Sequence, residues 1–317
     1  MIKKAAVLLI TFNRPDYTRE VIASLRKAKV EKLYIFKDGP RKGNLKDTVA
    51  HDELIQLFDT IDWPCECSTN ISITNLGCGL GVSSAVSWAF EKEDRLIILE
   101  DDCVPAQAFF GYCDQMLERF LDDQRVWSVS GENHYYPEWG FRGCDYLFSQ
   151  YGYNAGWATW KRCWEHFDFE MKALPAVLQD KVFYDLFSDV KIANTYQKRF
   201  SKLQQMNTTP SFWTAQFGLQ VVLHRGLFVI PRKNLIKNIG LVGDHTNSKN
   251  EYHNVESEED FRVEKHPAFV IPSRALMLWH YRHRIRRIYN DMPLGYRIGR
   301  KLMNAFSRGR RLLTTNS

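Results

Sequence analysis

The sequence predicts an α/β fold, a mostly parallel sheet flanked by helices. Three observations carry this. Short apolar runs of strand length recur through the first 130 residues, stretches with helical apolar spacing alternate with them, and polar or glycine-rich pieces fall where the runs end.

Ala5–Ile10 is the first such run. Tyr17, Val21, Leu25 and Ala28 then share a helical face, with Pro15 and Asp16 as start signals. Leu33–Phe36 reads as the second strand, and Leu54, Leu57, Phe58 and Ile61 as a second helix. Ile71–Ile73 is the expected third strand, followed by a helical stripe of Val82, Ala85, Val86, Ala89 and Phe90. Leu96–Leu99 is a fully apolar fourth strand, the kind a sheet covered on both faces requires. Phe109, Cys113, Met116, Leu117 and Phe120 are spaced for a helix, and Val126–Val129 reads as a fifth strand. Beyond Ser130 the pattern loosens into Tyr-, Trp- and Gly-rich sequence with strand-like pieces such as Tyr146–Phe148. Helices are expected over 161–203, strands at Val221–Val222 and Leu227–Ile230, and a polar loop over 243–260. The simplest division is one catalytic domain, 1–272, and a basic helical tail, 273–317.

Of the 317 residues, 44% are hydrophobic and 25% charged, an ordinary globular balance. No uncharged apolar run approaches bilayer length. The N-terminal run is short and is followed by Thr11-Phe12-Asn13-Arg14-Pro15 rather than by a small-residue cleavage site, so it reads as a strand. Seven scattered cysteines lack disulfide or zinc spacing. Together these predict a cytoplasmic protein. The net charge of +6 is uneven: Arg282 to Arg311 holds ten Lys/Arg and one acid, leaving the rest at −3. An acidic body argues against a nucleic-acid partner. The basic tail, with Trp279, Tyr281, Ile285, Ile288 and Tyr289 among its arginines, is either a solvated helix or a peripheral contact with the inner face of a membrane.

The unusual residues cluster at strand ends. Thr11-Phe12-Asn13-Arg14 ends the first strand, Lys37-Asp38-Gly39-Pro40-Arg41 the second, Asn75–Gly81 the third and Glu100-Asp101-Asp102 the fourth. In an open parallel sheet such loops line one crevice, where ligands bind. Adjacent carboxylates at a buried strand end repel, and a divalent cation relieves the repulsion while binding substrate phosphates. Capping the next helix is the other use of Asp101 and Asp102; three companion loops favour the cation. The glycines of Asn75-Leu76-Gly77-Cys78-Gly79-Leu80-Gly81 serve either a tight turn or close approach to a phosphate. Asp38 either accepts from a ribose or base or closes an Asp-Gly-Pro turn.

These pieces resemble the nucleotide-binding half of GT-A glycosyltransferases, close to the family 2 enzymes. The likeness rests on Thr11-Phe12-Asn13-Arg14-Pro15, Asp38-Gly39-Pro40, Asn75-Leu76-Gly77 and Ile98-Leu99-Glu100-Asp101-Asp102. Val126-Trp127-Ser128-Val129-Ser130 and Gly156-Trp157-Ala158-Thr159-Trp160 further resemble the N-acetylglucosaminyltransferases that begin N-glycan branching. The resemblance implies a GT-A-like (Rossmann-like) fold, a nucleotide-sugar donor with a UDP-sugar foremost, a glycan or lipid-linked glycan acceptor, and Mn²⁺ or Mg²⁺. It implies Asp102 as metal ligand, Asp101 at the ribose, and the Thr11–Arg14 and Asp38 loops at the base. His245 sits where such enzymes place a late metal or diphosphate ligand; a solvent-exposed histidine is the alternative.

One departure concerns the base. Inverting transfer needs a carboxylate to deprotonate the acceptor hydroxyl. The resembled enzymes carry acids after a tryptophan, whereas here Ser211-Phe212-Trp213-Thr214-Ala215-Gln216 has none. Glu132, after the fifth strand, is the substitute candidate, with a surface or salt-bridged glutamate as the other reading. Two other functions fit parts of the pattern. A non-catalytic nucleotide-sugar or glycan binder fits the missing acid. A nucleotidyltransferase fits the acid cluster, but Leu9–Pro15 has no glycine-rich phosphate loop.

Overall fold

The computed structural model describes residues 2–134, 136–206, 213–240 and 255–285. The chain begins β1 (Ala6–Thr11), α1 (Pro15–Ala28), β2 (Lys32–Lys37), α2 (Leu45–Phe58), β3 (Glu66–Ile71), α3 (Gly77–Phe90) and β4 (Arg95–Glu100). It continues with β5 (Cys103–Pro105), α4 (Gln107–Arg119), β6 (Val126–Ser130), a 3-10 turn at Glu138–Phe141, β7 (Tyr146–Ser149) and β8 (Trp157–Trp160). Next come α5 (Lys161–Trp164), α6 (Leu174–Gln179), α7 (Phe183–Leu186), α8 (Val190–Gln205) and α9 (Thr214–Leu223). Strands β9 (Leu227–Pro231) and β10 (Ile236–Asn238) precede α10 (Arg274–His280), which runs into a π turn at Tyr281–Ile285.

The main sheet has eight strands in the order β3-β2-β1-β4-β8-β6-β9-β7. The α/β class and the mostly parallel sheet are as expected: β3, β2, β1 and β4 are parallel, β6 and β9 are parallel, and β8 and β7 run against their neighbours. All residues of β1, and β4 up to Leu99, are buried, so their unbroken apolar runs reflect cover on both faces. On one face Tyr34 meets Trp88 of α3 edge to face at 5.3 Å. The other helices α1, α2 and α4 pack against one another through α1.

Two expectations are corrected, and one strand is new. The third strand lies at Glu66–Ile71, not Ile71–Ile73. It is a sheet edge with mostly exposed residues, so no apolar alternation marks it, while Ile73 is 93% exposed. Val221–Val222 lies inside α9, because its burial belongs to a helix face that also carries Ala215, Phe217 and Leu219. An antiparallel strand, β8, separates β4 from β6, placing Trp157 beside Ile98 on one side and Ser130 on the other.

A second core joins α6, α7, α8, α9 and α10 through Leu174, Phe183, Phe200, Leu219, Met277 and Tyr281. The first turns of the 273–317 segment are thus packed into the body, with His280 and Tyr281 buried. The remainder of that segment lies outside the described residues. All seven cysteines are free, and among the described residues no helix is long and apolar enough to cross a membrane.

Gly39, just after β2, has no room for a side chain: a Cβ there would lie 2.4 Å from the Thr74 carbonyl carbon. Gly39→Ala is expected to cost roughly 1–3 kcal/mol, since backbone must shift to admit it. Urea unfolding tests this, and an unchanged midpoint would show that the Thr74 loop yields freely.

Candidate functional site

Parallel pairing aligns Thr11 with Lys37 and Lys37 with Ile71, and Ile10 with Glu100, so four loops leave the same end of the sheet together. Two contacts tie the first loop to the acid triplet. The Arg14 guanidinium lies 2.6 Å from Asp102 Oδ2 and 3.6 Å from Asp101 Oδ1. The Phe12 amide donates to Asp101 Oδ2 at 3.3 Å.

The triplet is electrostatically loaded. Burial pushes the Glu100 carboxyl up to about 8, and Asp102 and Asp101 add to the rise. Asp101, 4% exposed, is lifted to about 7 by burial, with the Arg14 charge pulling the other way. Burial works against the charge on Arg14, yet Asp101 and Asp102 outweigh it and hold the guanidinium above its ordinary range. A second cation lies within the fold: Lys37 is fully buried, its Nζ donates to the Asp38 carbonyl, and burial lowers it to about 8 against the pull of Asp38, Asp47 and Asp101.

Asp102 is the last residue of the two-residue link between β4 and β5, and β5 pairs antiparallel with β10. The ribbon brings Gly240 so close that a Cβ there would sit 2.2 Å from Asp102 Oδ2. Among the described residues no group of three or more His, Cys, Asp or Glu is arranged to hold a metal. An ion at Asp102 would therefore draw most of its shell from ligand phosphates and water, as Mg²⁺ commonly does. The bare backbone at Gly240 leaves that oxygen uncovered by any side chain from the ribbon. His245 lies outside the described residues.

Asp38 is spent on structure. Its carboxylate accepts from the amides of Gly39 at 2.9 Å, Leu76 at 2.8 Å and Gly77 at 3.0 Å, and from Asn75 Nδ2 at 3.0 Å. Four donors fill the lone pairs a carboxylate offers. Asp38 therefore holds its own turn and the glycine loop through acceptor positions that groups of the chain already occupy. Burial raises its pKa, while the three amides oppose the rise. Gly77 takes φ +76°, the left-handed region that favours glycine, and its amide thereby reaches Asp38. Asn75 also donates to the Gly39 carbonyl, at 3.0 Å. The buried Thr11 hydroxyl is likewise turned inward, to the Phe36 carbonyl. Phe12, Asn13, Arg14, Asn75 and Gly77 are half-buried at the crevice.

One residue here was missed from sequence. Asp47, 2% exposed in the first turn of α2, accepts from Asn13 Nδ2 at 2.9 Å and from the Arg41 guanidinium with both oxygens. The Arg41 hydrogen bond leads in lowering it to about 2. Arg41 in turn lies 5.4 Å above the Phe12 ring. The available signal was Asn44, whose side chain caps α2 by accepting from the Lys46 and Asp47 amides and so fixes Asp47 in place.

Glu132 follows β6 and is 8% exposed. Its Oε1 lies 2.9 Å from His134 Nε2, and its Oε2 accepts from the Ala155 amide at 3.3 Å. Its charge adds, as the smallest contribution, to the rise of Glu100. In the stretch lacking an acid, Trp213 stacks on Trp157 at 5.2 Å and 22°. Gln216 is fully buried, and among the described residues neither its amide nitrogen nor its oxygen has a hydrogen-bond partner.

The elevated Glu100 and Asp101 values set a sign for stability against pH. Both lie above the unfolded range, so the folded state holds protons that the unfolded chain has released. Their contribution is fully present below about pH 4 and is lost as pH rises through 7 to 8. With chelator present, Glu100→Gln is expected to melt above wild type at pH 8, the gap narrowing at pH 5. Melting curves that differ equally at both values would contradict this.

Neither a family model nor a curated protein sequence matches the chain. Among solved structures, HddC from Yersinia pseudotuberculosis aligns over 55% of this chain and 86% of its own, at 14% identity and a TM-score of 0.33. A UDP-glucose pyrophosphorylase complexed with UDP-glucose aligns over 51% of this chain and 78% of its own, at 11% identity and a TM-score of 0.29. Likenesses this shallow carry no functional weight.

Proposed function

We propose that the chain is an inverting glycosyltransferase that moves a sugar from a nucleoside diphosphate, UDP foremost, to a glycan or lipid-linked glycan acceptor. The carrying observation is the bridge from Arg14 to Asp101 and Asp102, which joins a first-strand loop to an acid triplet at one crevice. Phe12 and Asn13 are the base-side groups, steadied by Arg41 and Asp47. Asp101 is assigned to the ribose. Arg14 is suited to pair with diphosphate oxygens once it leaves Asp102, since a guanidinium binds phosphate in a fork.

Asp102 would hold Mn²⁺ or Mg²⁺ together with the diphosphate, and the ion would supply Lewis-acid stabilisation of the departing group. Glu132 is the proposed base: His134 and the Ala155 amide fix its carboxylate, which would take the acceptor hydroxyl proton. A second reading, donor or glycan binding without transfer, draws on the lack of any acid in Ser211-Phe212-Trp213-Thr214-Ala215-Gln216. A nucleotidyltransferase draws no support from the first loop, which has no glycine.

Thermal unfolding with nucleoside diphosphates and nucleotide-sugars, with and without Mn²⁺, tests the donor site. A ligand at a hundred times its dissociation constant stabilises by about 2.7 kcal/mol, which moves the midpoint by several degrees. The expected result is a metal-dependent shift with one nucleotide that Asp102→Ala abolishes. No shift with any nucleotide would sink the reading.

A further inference from the structure

We propose that the indole of Trp139, set at right angles to that of Trp279, is a binding platform for a pyranose ring of a glycan. Of the nine tryptophans, all among the described residues, Trp139 alone is exposed, at 59%. The exposure is not that of a loose loop. Trp139 lies in the 3-10 turn Glu138–Phe141, and the two residues after it, Gly140 and Phe141, are buried. A Cβ at Gly140 would lie 2.3 Å from Leu276 Cδ2, so the turn is pressed onto α10. The Gly140 amide closes the turn on the Pro137 carbonyl at 2.9 Å. A packed backbone thus holds the ring out to solvent.

Shape and charge together identify the occupant. Trp279 of α10 meets Trp139 edge to face, with centroids 6.0 Å apart and planes at 90°. His283 stacks on Trp279 at 3.8 Å and donates from Nδ1 to its carbonyl at 2.8 Å. Two perpendicular indoles make a floor and a wall, not a flat apolar patch. Charged groups border the corner: Glu138 pairs with Lys233 at 2.8 Å and with Arg232 at 3.8 Å. A pyranose is apolar on its C–H face and carries hydroxyls, which donate and accept, around its rim. The indole suits the face, and the carboxylate and cations suit the rim. A protein partner would need a far larger buried area than this corner supplies.

The platform lies at the end of the sheet that carries the acid triplet. Strands β4 and β6 both run against β8, and β6 and β9 are parallel, so Glu100, Ser130 and Pro231 close their strands at one end. Arg232 and Lys233 directly follow β9, and Glu132 follows β6 by two residues. Asn133 ties these loops together: its Nδ2 donates to the Arg232 carbonyl at 3.0 Å and its amide to Asn234 Oδ1 at 3.3 Å. Trp139 is seven residues beyond Glu132, which limits their separation to about 25 Å, the span of a few linked sugars. That the bound glycan is the acceptor rests on the proposed transferase function, whereas the ring binding does not.

Saturation-transfer NMR on the full chain with maltose, cellobiose, lactose and methyl α-mannoside tests the platform. Wild type is expected to pass saturation to the C–H protons on one ring face of at least one of these sugars. Trp139→Ala should weaken that binding about tenfold, and Trp139→Phe, which keeps a ring, should retain most of it. Position 139 is exposed, and an unaltered melting midpoint would show the fold intact. No transfer to any of the four sugars, or transfer indifferent to Trp139→Ala, overturns the proposal. So does a dimer in light scattering that Trp139→Ala dissociates, which would make the ring a contact between copies. The nucleotide shift is read separately. Sugar binding without it keeps the platform and sinks the transferase reading, and the reverse sinks the platform alone.

Discussion

The Arg14 bridge is the interaction on which the rest of the site depends. Three carboxyls in a row at the end of a buried strand are electrostatically unfavourable, and a low-dielectric surrounding magnifies the repulsion. Arg14 answers it from the neighbouring loop at 2.6 Å from Asp102, and Lys37 lies on the buried side, its charge felt by Asp101. The cations can do this only because β1 lies between β2 and β4 in parallel register, which brings the loops after β1 and β2 alongside the loop after β4. Fold and electrostatics are thus one constraint: the sheet order decides which charges meet.

A buried charge site also consumes polar groups in its own support. Asp38 gives three acceptor positions to the glycine loop and one to the Gly39 amide, Thr11 turns into the sheet, and Asp47 is shared between Arg41 and Asn13. A strand-end position with a polar side chain therefore marks the neighbourhood of a site without saying which groups face a ligand. What separates the two classes is whether the hydrogen-bonding capacity is already filled, and that depends on partners tens of residues away.

This explains what could be read from the sequence. The strands β1, β2 and β4 and the helices between them were legible because burial on both faces leaves an apolar run and burial on one side leaves a helical stripe. The crevice was legible because its loops follow those strands. β3 was misplaced because a sheet edge with polar Glu66, Ser68, Thr69 and Asn70 leaves no such trace. The insertion of β8 between β4 and β6 was hidden because antiparallel placement depends on long-range pairing rather than on local pattern. Asp47 was hidden for the reverse reason: its local role as a first-turn acid on α2 is ordinary, and only the distant Asn13 makes it part of the site.

The charge arrangement bears on how a diphosphate could enter. Glu100 and Asp101, at about 8 and about 7, hold protons over part of the neutral range, and Lys37, at about 8, gives up its own over the same interval. Raising pH through this interval therefore makes the crevice more negative from both sides, against an anionic ligand. A diphosphate must bring compensation, either as protons kept on the carboxyls or as a divalent cation that replaces them. These two routes compete, because metal binding to carboxyl groups releases protons. Arg14 is engaged by the acids it neutralises, so it becomes available to the diphosphate only once such compensation takes its place at Asp102. On the proposed function, proton and metal are then alternative partners of the same triplet, and the metal gains the advantage as pH rises.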